Sequence, residues 1–74
     1  MGTGIEMIFA VLPSNLTTGC MVATPEEVYD YLIKIKLPSS VANEIKEWCT
    51  TQTDNAEMEF EFPGGYISVI TFKV

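Results

Sequence analysis

The chain has 74 residues and a net charge of −6, from ten acidic side chains against four lysines, with no arginine and no histidine. Hydrophobic residues make up 47%, so intrinsic disorder is excluded, and the length admits one small domain. The acidity argues against direct binding to nucleic-acid phosphates or to an anionic membrane, and the missing histidine removes Ser-His and Cys-His nucleophile systems.

Residues 5–12 read as a first strand. Ile5, Met7, Phe9 and Val11 share one face, and Glu6, Ile8, Ala10 and Leu12 share the other. Both faces are largely apolar, the pattern of a strand covered on two sides. The segment is too short for a membrane span, which needs roughly 20 apolar residues, and it lacks the basic start of a signal peptide. Glu6 stands where a myristoylation motif at Gly2 wants Ser or Thr, and the sequon Asn15-Leu16-Thr17 matters only in a secretory compartment. These features lead us to expect a cytoplasmic protein.

Pro13-Ser14-Asn15 ends the strand and opens a polar loop over residues 13–19. Residues 20–23 then suit a short second strand folding back on the first. Thr24-Pro25-Glu26-Glu27 is a helix start with a cap, a proline in the first turn and a capping-box glutamate. Val28, Tyr31, Leu32 and Ile35 form its apolar stripe, and the helix is expected to run to about Lys36 before Pro38 ends it. A second helix begins at Ser39 or Ser40, with Val41, Ile45, Trp48 and Cys49 on one face. Cys49 on that stripe reads as a small buried hydrophobe; a bridge to Cys20 would require an oxidising compartment.

A polar connection over residues 50–55 leads into a β-hairpin. Glu57, Glu59 and Glu61 alternate with Met58, Phe60 and Phe62, so one face is apolar and the other carries carboxylates. A three-residue loop Pro63-Gly64-Gly65 sets Phe62 opposite Tyr66, Phe60 opposite Ser68 and Met58 opposite Ile70. The expected core face then holds Met58, Phe60, Phe62, Tyr66, Ile70 and Phe72. The other face holds the glutamates beside Ile67, Val69, Thr71 and Lys73. A two-residue Gly64-Gly65 turn slips this register by one and mixes the faces.

The expected fold is α+β in the order β(β)ααββ. A small antiparallel or mixed sheet, made of the N-terminal strand and the C-terminal hairpin, carries two amphipathic helices on one face. No constellation for catalysis, metal or cofactor binding is recognisable. Two cysteines without histidine make a poor zinc site, and alternate strand positions about 6.6–6.8 Å apart hold carboxylates too far apart for one Ca²⁺.

Two surfaces remain as candidates. One is acidic: Glu57, Glu59 and Glu61, together with Glu26, Glu27, Asp30, Glu44 and Glu47, fit a partner with a basic nucleic-acid-binding groove, as in small acidic inhibitor proteins of phages and mobile elements. The other is apolar: Ile67 and Val69 on the uncovered sheet face, joined by Ile8 and Leu12 or their alternates, and Tyr29 and Ile33 at the margin of the first helix. The expected function is a non-enzymatic protein-binding module, with a homodimeric or larger homo-oligomeric assembly subunit as the alternative.

Overall fold

The computed structural model describes residues 6–15 and 18–74. Ile5 of the expected first strand, Gly2, and the sequon residues Leu16 and Thr17 lie outside them. Six elements follow in order: β1 (Met7–Pro13), β2 (Cys20–Val22), α1 (Pro25–Lys34), α2 (Ser39–Thr51), β3 (Ala56–Phe62) and β4 (Gly65–Lys73). The sheet is antiparallel throughout, in the order β2-β1-β4-β3. The fold is α+β, with the first and last strands paired at its centre. Seven residue pairs join β1 to β4, from Met7 with Lys73 to Pro13 with Ile67.

Both helices cover one face of this sheet. Phe9 and Val11 of β1, Phe60 of β3, and Ile67 and Val69 of β4 pack against Val28 and Leu32 of α1 and Ala42, Ile45 and Cys49 of α2, forming one buried cluster. The Trp48 ring meets Phe60 edge to face, with centroids 5.8 Å apart and planes at 74°. That geometry suits two aromatic quadrupoles and ties α2 to β3.

The start of α1 matches its sequence. Thr24 Oγ1 accepts from the Glu27 N–H at 3.2 Å, and Glu27 Oε1 accepts from the Thr24 N–H at 3.1 Å. The helix ends two residues before Lys36. Ile35 is the cap, and Lys36 adopts φ 76°. The Lys36 N–H donates to Ile33 O, the Leu37 N–H donates to Leu32 O, and Leu37 and Leu32 are buried in one cluster. This is a Schellman ending built without glycine. The sequence does not signal it, because the usual glycine is absent.

The hairpin register differs from expectation. Phe62 pairs with Gly65, Glu61 with Tyr66, Phe60 with Ile67 and Met58 with Val69. The loop is therefore Pro63 and Gly64 alone. The Gly64 N–H donates to Phe62 O at 2.8 Å, a γ-type turn centred on proline. Gly65 has φ 145°, a region open to glycine and closed to other residues, and a Cβ there would collide with Ser14 Oγ. That hydroxyl accepts from the Tyr66 N–H at 2.9 Å, while the Ser14 N–H donates to Tyr66 O at 2.8 Å. The β1–β4 ladder thus runs one residue beyond Pro13 and pins the hairpin to β1.

The one-residue slip turns β4 over. Ile67, Val69 and Thr71 face the helices and are fully buried, whereas Tyr66 and Phe72 are exposed and Ile70 is half-buried. The expected core positions Tyr66, Ile70 and Phe72 are therefore wrong, and so is Met58, which faces the helical side opposite Val69 but is exposed on the edge strand β3. Phe60 is buried and Phe62 half-buried, as the apolar alternation of β3 requires. The physical reason lies in β4, whose two faces are almost equally apolar. Polarity alternates sharply only in β3, so it could not choose the register of β4. Three β-branched side chains pack closely beneath the helices. The expected register would instead have put Ser68 at the centre of the core. Thr71, the polar member of the buried row, donates from Oγ1 to Asp54 O at 2.7 Å. No buried side-chain nitrogen or oxygen among the described residues lacks a partner.

Candidate functional site

The second face of the sheet carries no helix. Strand alternation places Ile8, Ala10 and Leu12 of β1 there, beside Tyr66, Ser68, Ile70 and Phe72 of β4 and Met21 of β2. Ile8 lies opposite Phe72, Ala10 opposite Ile70, and Leu12 opposite Ser68. Leu12 is 44% exposed, Phe72 42%, Tyr66 46% and Met21 67%. Ile8 and Ile70, both half-buried, and the buried Ala10 lie between them on the same face, so together they form one patch rather than scattered surface residues.

Carboxylates border the patch along one side. Glu57 pairs with Ile70, Glu59 with Ser68 and Glu61 with Tyr66, and all three glutamates are exposed. They stand on the outermost strand, next to the apolar stripe of β4. No lysine shares this face. Lys34 and Lys46 are on the helices and Lys36 follows α1, while Lys73 continues the inward row of β4 at its end.

The other expected acidic residues lie elsewhere. Glu26, Glu27 and Asp30 are on α1 and Glu44 and Glu47 on α2, so the sheet separates them from the glutamate row of β3. Glu27 is held at the cap by the N–H groups of Ala23 and Thr24. Glu47 accepts from Asn43 Nδ2 at 3.3 Å. The eight carboxylates named from the sequence therefore do not form one surface.

The expected apolar interface also changes. Ile67 and Val69 are fully buried beneath the helices and cannot meet a partner, because the hairpin register turns them inward. Tyr66, Ile70 and Phe72 take their place, and of the two β1 rows left open by the sequence, Ile8 and Leu12 lie on the bare face. On α1, Ile33 is 38% exposed and Tyr29 half-buried. The Lys46 ammonium sits 5.6 Å from the Tyr29 ring centre, a cation–π contact that links the two helices. Both residues are on the helical layer, remote from the bare face. The signal that could have found the correct set is the row Ile67, Val69, Thr71, which is β-branched throughout, against a row of Tyr66, Ser68, Ile70 and Phe72 that contains a small polar residue at its middle.

Chemically reactive groups are few. Cys20 and Cys49 are both free thiols. Burial pushes the Cys49 thiol up to about 12, which keeps it protonated and unreactive at neutral pH. Burial also raises Tyr31, with a smaller contribution from the nearby Cys20. Among the described residues, no group of three or more His, Cys, Asp or Glu is placed to hold a metal ion. An open cleft of about 220 Å³ lies where Glu6 and Met7 meet Gln52, Thr53, Lys73 and Val74. It is smaller than the roughly 300–1,000 Å³ of ligand pockets. Among the described residues, no helix is long and apolar enough to cross a membrane. No protein-family model, curated protein or solved structure matches this chain.

Proposed function

We propose that this protein is a non-enzymatic binding module that engages another protein through the bare face of its sheet. The observation that carries this reading is the continuous apolar patch of Leu12, Ile70 and Phe72 beside the glutamate row of β3. A contiguous exposed apolar surface on a small domain marks an interaction site, and a row of like charges at its border selects for a basic partner and speeds the encounter. An inhibitory role, with carboxylates standing in for nucleic-acid phosphates in a basic groove, rests on Glu57, Glu59 and Glu61, the three that share the bare face.

Affinity capture from the native host, followed by mass spectrometry, tests this reading. The wild-type protein should retain a basic partner at low salt and lose much of it at high salt. A Leu12→Ser/Phe72→Ser variant should fail to retain it. Recovery of the same proteins by both forms would rule out the bare face as the binding surface.

The same apolar patch also favours a second reading, a homo-oligomeric assembly subunit that covers the face with another copy of itself. Sedimentation at high micromolar concentration separates the two. A monomer supports the binding module; a dimer dissociated by Leu12→Ser/Phe72→Ser supports self-assembly.

A further inference from the structure

The bare face has dimensions and charges that define the form of its occupant. We infer that it accepts a single amphipathic α-helix from a partner protein, laid along β1 and β4, with Lys or Arg along the flank that faces β3. This inference rests on the binding-module reading above and names the chemistry of the partner.

Width is the first reason. The apolar stripe is confined mainly to β1 and β4, with Ile8 and Leu12 on one strand and Ile70 and Phe72 on the other. Two strands about 4.8 Å apart present a stripe roughly 10 Å wide, close to the roughly 10–12 Å diameter of one helix with its side chains. Length is the second. Tyr66 to Phe72 spans six residue steps, roughly 20 Å of strand, which about 13 residues of helix cover. The opposite face of the same sheet already buries helices of 10 and 13 residues.

Charge is the third reason, and it favours a basic helix over a second copy. Glu57, Glu59 and Glu61 span four residue steps, roughly 13 Å. Cations at positions i, i+4 and i+8 of a helix rise about 12 Å, so they can follow this row one to one. The chain has no lysine on the bare face, so two copies stacked on this surface would bring six carboxylates and no cation into one interface. An added β-strand fits less well. It would pair in the plane of the sheet with the edge of β3, beyond the glutamates, or with the three-residue edge strand β2, and in either place leave Ile8, Leu12 and Phe72 uncovered.

The test uses the full chain and two model peptides of about 14 residues, with the same Leu and Lys content. One places leucines at helical spacing with lysines on the flank; the other alternates Leu and Lys at strand spacing. The helical peptide should bind one to one, and NMR shift changes on the wild-type protein should centre on Leu12, Ile70 and Phe72. Affinity should fall by about tenfold or more in a Leu12→Ser/Phe72→Ser variant whose spectrum stays native. Glu57→Gln/Glu59→Gln/Glu61→Gln should flatten the salt dependence. Tighter binding of the alternating peptide at the bare face would overturn the helical occupant and leave the face as a binding surface. Shift changes confined to the helical layer, or affinity indifferent to Leu12 and Phe72, would overturn both.

Discussion

The two central strands, β1 and β4, carry apolar side chains on both faces of the sheet, yet only one face is covered. The inner row of β4, Ile67, Val69 and Thr71, is sealed beneath α1 and α2, while its outer row of Tyr66, Ile70 and Phe72 meets solvent. The difference is set by the hairpin turn rather than by hydrophobicity. A single-residue slip would exchange the two rows, and with them the residues that meet solvent. The buried and the solvent-facing rows of β4 are therefore alternate readings of one strand, chosen by Gly65 and its close approach to Ser14.

The sharpest way to break this comparison is to make equivalent changes on both faces. Val69→Lys would bury an unpaired charge and should abolish cooperative unfolding, and Ile67→Ala should cost about 2–5 kcal/mol. Phe72→Ser on the outer row should cost about 1 kcal/mol or less. Urea titrations of the three variants provide the comparison, and equal losses at Ile67 and Phe72 would mean that both faces are packed. Val69 is accordingly unsuitable as a surface probe.

Next in size is the turn. Gly65→Ala places a Cβ at φ 145° and against Ser14, and should cost about 1–3 kcal/mol in the same titration. A variant as stable as wild type would show that the register does not depend on Gly65.

Cys49 gives a pH-dependent effect on the covered side. Its ordinary thiol value is 9.0 and its folded value about 12. Below pH 9 both folded and unfolded chains hold this proton, so its contribution is fully present. Between about 9 and 12 the unfolded chain releases the proton first, and stability falls by up to about 1.4 kcal/mol per pH unit. Cys49→Ala should show a shallower decline across that window, although its stability at neutral pH is lower because of the cavity. An unchanged slope would place the thiol in contact with water.

The smallest effect expected is a gain. Lys36 holds φ 76° in a position where glycine is the usual residue. Lys36→Gly should raise stability by up to about 1 kcal/mol, read as a higher denaturation midpoint at unchanged slope.

Much of this architecture was legible from residue patterns. The capping box of Thr24 and Glu27, the apolar stripe of Val28 and Leu32, that of Ile45 and Cys49, and the alternation in β3 each arise from local interactions along the chain. Strand order and hairpin register do not. They depend on contacts such as the Ser14–Tyr66 bonds, which join residues 52 positions apart. Local polarity could orient β3, where glutamates alternate with rings, and could not orient β4, where both rows are apolar. A bare face therefore follows from the sequence, but which row of β1 lies on it stays open, and the pattern of β4 points to the wrong row. Net charge likewise carries no information about which carboxylates share a face.

A soluble paramagnetic probe added to the dilute protein tests the orientation of β4 most directly, because it broadens only signals from side chains that meet solvent. The two-face account predicts strong attenuation at Leu12, Tyr66 and Phe72, with Ile67 and Val69 unaffected. Attenuation of Ile67 and Val69 with protection of Tyr66 and Phe72 would contradict it.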